Sequence, residues 1–191
     1  MMGKVIAIDG PAGSGKGTVA KLIADRLNYI YIDSGATYRS VALFILENCI
    51  DYKDEGKVLE IAKSLDIKFD ENGKTFLNGI DVSDRIRSKE VSELVSLVSS
   101  NIKLREILVD IQRNMAGDRN VVMDGRDITT VVFPDADYKF YLDADIFVRA
   151  KRRYKENTLK GIENSSYNWM CIESLCFFLL ANPFGLYSIQ L

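Results

Sequence analysis

The chain contains no histidine. That excludes Ser-His and Cys-His nucleophile systems, a histidine general base and the HExxH type of zinc site. Cysteine is scarce. Cys49, Cys171 and Cys176 follow no zinc-finger or redox spacing and read as ordinary reduced thiols of a cytosolic protein. The opening MMGKVIAIDG has one lysine and a short apolar stretch broken at Asp9, which is not a secretory signal, so the cytoplasm is the expected location. There is no surplus of positive charge. Lys and Arg number 25 against 27 Asp and Glu, a net charge of -2, which argues against a non-specific nucleic-acid binder. A long apolar run is also missing. Residues 176–180 are strongly apolar but end at Asn182-Pro183, short of the roughly 20 residues a membrane span needs. No internal repeat is present.

What is there suits one α/β domain. The 191 residues are 47% hydrophobic and 27% charged, enough for a core and a solvated surface. Residues 4–9 read as a buried strand that stops at Gly10-Pro11, and 18–27 have helical apolar spacing. Strand, glycine-rich turn and helix open an α/β nucleotide fold. A second strand is expected at 29–32, with helices at 36–47 and 54–65. Residues 67–82 change texture. Short alternating runs broken by Asn72-Gly73 and Asn78-Gly79 predict a small β insertion. Residues 88–116 predict two helices meeting near Asn101. Strands follow at 120–124 and 138–142, then a basic helix at 145–159.

The chemistry-bearing segment is Gly10-Pro11-Ala12-Gly13-Ser14-Gly15-Lys16-Gly17-Thr18, with GxxxxGK spacing between strand and helix. Backbone N–H groups of a wrapped loop and a helix N-terminus hold a phosphate chain without bulky side chains. Lys16 can reach the β- and γ-phosphates of a donor. Gly17 follows the lysine where the common pattern has Ser or Thr, and the hydroxyl comes one residue later, at Thr18. Magnesium is therefore expected largely on phosphates and water, with Thr18 and Asp124 as indirect contributors.

Three further groups read as a second-substrate site, each with a plainer alternative. Ser34, Tyr38 and Arg39 follow the second strand, where a guanidinium suits a phosphate, or they are a surface cluster at a helix start. Asp124, Arg126 and Asp127 end a core strand, or are turn chemistry. Arg149 and Arg153 are four apart on one helix face and suit a closing lid that offsets transferring charge, or are a solvated basic face. No NKxD motif supports a guanine-specific GTPase.

Taken together, IDGPAGSGKGT, YIYIDSGATYR, DVSDRIRSKEVSELVS, QRNMA, VVMDGRDITTVVFPDADYKFYLDA and RAKRRYKE resemble the bacterial cytidylate kinase family over about residues 4–162. The resemblance implies a three-layer P-loop fold with a central parallel sheet, a β-rich monophosphate-binding insertion and a helical lid. It implies transfer of the γ-phosphate of ATP to CMP or dCMP, with Mg2+. Lys16, Arg39, Arg126, Arg149 and Arg153 would act on the transferring charge. Ser34, Tyr38 and Arg39 would line the CMP site, Arg126 would hold the CMP phosphate, and Ser96, Arg105 and Asp127 would read cytosine, whose edge offers both a donor and acceptors. The expected partners are these small molecules only, with no nucleic acid, no membrane and a monomeric chain.

Two positions depart from the family pattern. Thr129 stands where a glycine is usual in DGRDxGT. Residues 164–191 hold no arginine and one charged residue, Glu173, where the family has an Arg-Asp-rich lid segment, a strand and a helix. The expected organisation is a kinase domain at 1–163, with its insertion at about 67–82, and an atypical apolar tail read as a truncated or read-through C-terminus. A chain that binds ATP and CMP but transfers little is the alternative this tail raises.

Overall fold

Strand β1 (Val5–Asp9) is the middle of a parallel sheet, so its apolar residues serve two faces. Ile6 and Ile8 pack with Ala20 and Ala24 of helix α1 (Lys16–Leu27), while Ala7 packs against Val109 and Ala116 on the opposite side. The same period of two runs through β2 (Ile30–Asp33) and β6 (Val121–Gly125). Tyr31 and Val122 face α1; Ile32, Val121 and Met123 face away. The computed structural model describes residues 3–159 and 187–190.

Between β2 and β6 run α2 (Ser34–Glu47), α3 (Glu55–Ser64), the short strands β3 (Ile67–Phe69), β4 (Thr75–Leu77) and β5 (Ile80–Asp81), α4 (Lys89–Val98) and α5 (Ile102–Ala116). Polar caps set the helix starts. Asp54 accepts from the Lys57 amide at 3.1 Å, Ser88 from Val91 at 3.3 Å and Asn101 from Leu104 at 3.1 Å. Asn101 is therefore the break between two helices that the sequence predicts there. Asn78 (φ 50°) and Gly79 (φ 80°) make the left-handed pair of the β4–β5 hairpin turn.

Strand β7 (Tyr138–Asp143) pairs with β1, and α6 (Ile146–Leu159) follows. The main sheet has the order β2-β6-β1-β7-β8, where β8 is Tyr187–Gln190, all parallel, and β3-β4-β5 form a small antiparallel sheet. With α1 on one face and α5 on the other, this is the three-layer α/β/α arrangement anticipated from the sequence.

The insertion packs into the domain: Ile67, Leu77 and Val82 share one core with Val41, Ile45, Val58, Leu104 and Leu108. Within the tail, Tyr187–Gln190 forms β8, parallel to β7, where no strand is predicted. The rest of the tail reading, including its apolar run at 176–180, lies outside the described residues.

Candidate active site

The carboxyl edge of the sheet gathers the acids that end three adjacent strands. Asp9 ends β1, Asp33 ends β2 opposite Asp124, and Asp9 stands opposite Gly125. Parallel strands end in register, so residues more than 90 apart in the chain meet here.

The phosphate loop leaves β1 directly. Gly13 has φ 76°, and a Cβ there would stand 2.9 Å from the Arg149 carbonyl oxygen. Only glycine meets both conditions. Lys16 opens α1, with its Nζ 3.4 Å from the Pro11 carbonyl. Burial pushes its ammonium below the ordinary lysine range, against the attraction of Asp124. The positive charge of Arg126 also acts on Lys16. Gly17 faces Asp124: a Cβ there would lie 3.8 Å from Oδ2 and 3.5 Å from the Tyr31 hydroxyl. Thr18, about 100° further round the helix, is exposed. The residue beside the strand-end acid is thus Gly17 rather than the hydroxyl.

Asp124 is buried, and Tyr31 Oη donates to its Oδ1 at 2.6 Å. Burial, then the charge of Asp33, lifts its carboxyl to about 6. Ser34 Oγ donates to the Asp124 carbonyl at 2.8 Å, tying the start of α2 to β6. Asp33 caps α2 by accepting from the Ala36 amide at 3.1 Å. Its Oδ2 also accepts from Arg39 at 2.7 Å and Arg87 at 3.1 Å. Burial pushes the Asp33 carboxyl up, and the two guanidiniums outweigh it, leaving it below the usual carboxylate range.

Arg105 of α5 pairs with Asp127, just after β6, so two of the expected base-reading residues do meet. Tyr38 lies close to both, its hydroxyl pushed up to about 12 by burial and then by the charge of Asp127. Ser96 is exposed on α4, and its hydroxyl takes no part in the Arg105–Asp127 ion pair.

The basic helix α6 differs from expectation in which arginines it uses. Arg149 is buried, with Nε on the Ala144 carbonyl at 3.0 Å and Nη1 on the Ala12 carbonyl at 3.5 Å. Arg152 Nη1 donates to the Ser14 carbonyl at 3.0 Å and the Gly13 carbonyl at 3.3 Å. Arg153, the expected partner of Arg149, instead pairs with Glu156 at 3.1 Å. Spacings of three and four both share a helix face. Packing against the loop selects the residue three on.

Sequence reasoning also passed over Arg87. It lies on a single 3-10 turn (Arg85–Arg87), too short to give a periodic signal. Two buried donors have no hydrogen-bond partner among the described residues, Ser14 Oγ and Arg39 Nε. One lies in the phosphate loop and the other on α2, beside the strand-end acid. Buried donors are almost always paired, so both mark places for an acceptor.

A parallel sheet feeding a glycine-rich loop into α1, faced by an arginine–carboxylate cluster, defines a P-loop nucleotide kinase fold. The family model for cytidylate kinase matches residues 6–173. The chain belongs to the cytidylate kinase family. It is 52% identical over 158 residues to the cytidylate kinase of Caldanaerobacter subterraneus subsp. tengcongensis, covering 83% of this chain and 70% of that one. It is 50% identical over 159 residues to that of Fusobacterium nucleatum (83% and 72%), and 47% over 168 residues to that of Streptococcus mutans (85% and 74%). The family match extends to residue 173, beyond the segments up to about residue 162 that carry the resemblance. Among the described residues no helix is long and apolar enough to cross a membrane.

Proposed function

We propose that the chain transfers the γ-phosphate of ATP to CMP or dCMP. The observation that carries this reading is the pair of orphaned buried donors, Ser14 Oγ in the phosphate loop and Arg39 Nε on α2. Arg39 awaits the acceptor's phosphate, and Ser14 sits wholly buried in the loop that would wrap the donor's. Residues 10–18 wrap the ATP phosphates, with Lys16 on the β- and γ-groups. Arg39 and Arg126 hold the acceptor phosphate, and Arg87 stands beside Arg39 as a further cation. Ser34 and Tyr38 line the acceptor pocket, and Arg105 and Asp127 read the cytosine edge, with Ser96 arriving from α4.

An oxygen of the CMP phosphate attacks the γ-phosphorus in line. The bond from that phosphorus to the β–γ bridging oxygen breaks, and ADP leaves with the electron pair. No covalent enzyme intermediate forms, so the protein's work is positioning and offsetting charge. Lys16 and the arginines supply that charge, with Arg149 and Arg152 holding the loop in shape.

The site also fits Mg2+. Asp124 presents a buried carboxylate over the Cβ-free face of Gly17, an oxygen donor suited to a hard cation and its water. When bound, the ion would neutralise charge on the phosphate oxygens. Among the described residues no cluster of three His, Cys, Asp or Glu could hold a metal by itself. The same reading makes the protein a cytoplasmic monomer drawing on free nucleotides, without nucleic-acid or membrane partners.

A coupled ADP-release assay with CMP, dCMP, UMP and AMP tests this. CMP and dCMP should be preferred by at least about tenfold in kcat/KM. A preference for AMP would defeat the substrate assignment.

A further inference from the structure

Asp9 is buried at the junction of the two halves of the site, and all three of its side-chain hydrogen bonds come from one turn. Its Oδ1 accepts from the Ile128 amide at 2.9 Å; its Oδ2 accepts from the Thr129 amide at 2.8 Å and the Thr129 hydroxyl at 2.6 Å. The turn (Ile128–Val132) begins at Asp127, whose side chain makes no capping bond to it. Asp9, more than a hundred residues away in sequence, takes that capping place. Asp9 immediately precedes the phosphate loop, and Asp127 immediately precedes the turn. One carboxylate therefore joins the strand that delivers the donor loop to the turn that follows the acceptor's base contact. Among the described residues the Thr129 hydroxyl is the one side-chain donor in that joint.

We propose that Thr129 is a positioning residue for the acceptor nucleotide: its hydroxyl locks Asp9 onto the turn behind Asp127, fixing the base contact relative to the phosphate loop. This rests on the reading of Asp127 as a contact of the CMP base. A buried carboxylate needs donors to stay ionised, and an O–H···O⁻ bond is among the strongest available. Burial and the charge of Asp127 push the Asp9 carboxyl above its ordinary range, and the Thr129 hydroxyl opposes them most. With the hydroxyl removed, Oδ2 keeps a single donor and the turn is free to shift. A displacement on the order of 1 Å at such a site is enough to cost up to about a hundredfold in rate.

The test compares Thr129→Val, which keeps the shape and removes the hydroxyl, with Thr129→Ser, which keeps the hydroxyl. Steady-state kinetics are taken per folded molecule, alongside thermal unfolding. Thr129→Val should raise the KM for CMP about tenfold, leave the KM for ATP within about twofold, and be restored by Thr129→Ser. If Val lowers the melting temperature while the KM for CMP stays within about twofold of wild type, Thr129 is merely structural and the proposal falls. Should the valine variant not fold, Thr129→Ala is read by the same criteria. Absence of CMP turnover in the wild-type protein would instead overturn the functional reading itself.

Discussion

The Arg152 guanidinium donates to the Ser14 carbonyl at 3.0 Å, tying helix α6 to the phosphate loop. Its neighbour Arg153 is spent on Glu156 at the surface. Arg152→Ala should therefore lower kcat/KM for ATP by roughly tenfold, while Arg153→Ala stays within about twofold. Initial-rate kinetics at varied ATP decide between them. A larger loss from Arg153 would mean that closure over bound nucleotide rearranges α6.

Arg39 and Arg87 share Asp33, but only Arg39 has a buried donor without a partner. Arg39→Ala should reduce kcat/KM for CMP by about a hundredfold or more, because it removes a phosphate contact and leaves Asp33 underpaired. Arg87→Ala, at a more exposed guanidinium, should raise the KM for CMP only severalfold. Equal losses would place Arg87 on the phosphate as fully as Arg39.

The Asp124 carboxyl titrates at about 6 in the fold, against an ordinary value of 3.8, because it is buried and then because Asp33 stands near. Between those pH values the folded state holds the proton more firmly than the unfolded chain does. This group therefore costs the nucleotide-free protein stability as pH rises from about 4 to about 6, and the cost persists above. Asp124→Asn should raise stability at pH 7 by about 1–3 kcal/mol while kinase activity falls by about a hundredfold or more. Thermal unfolding across pH 4–8 checks the first part. A destabilised Asn variant at pH 7 would show that the ionised carboxylate is the preferred form.

Gly13 has φ 76° and no room for a Cβ beside the Arg149 carbonyl. Gly13→Ala should destabilise the protein by about 1–3 kcal/mol and weaken ATP binding by at least about tenfold. Calorimetric titration with a non-hydrolysable ATP analogue measures the binding. Unchanged affinity would mean that α6 yields easily, against the tight contact seen here.

Much of this site was legible in the chain itself, for local reasons. The glycine spacing before Lys16 dictates a phosphate loop, and alternating apolar residues in 67–82 dictate short strands. Asn101 announces a cap between two helices. Asp127 and Arg105 are also readable as cytosine contacts once the family pattern is seen, but their pairing is not. The roles of Arg152, Arg87 and Thr129 were not legible, because each acts through a partner far away in sequence or through a turn too short to show a period. The strand at Tyr187–Gln190 was hidden for a related reason: its pairing with β7 is supplied by the sheet edge, not by its own pattern.

The sequence alone determined the strand–loop–helix that holds phosphate, because backbone freedom at glycine and the reach of one lysine are local properties. It also determined which residue types were at hand for a second anion. Tertiary structure decided which of them act together. Parallel register brings Asp9, Asp33 and Asp124 to one edge, and the contact of α6 with the loop chooses Arg152 over Arg153. Burial then sets the charge behaviour of Lys16, Asp9 and Asp124, since desolvation depends on what packs around a group and not on its neighbours in the chain.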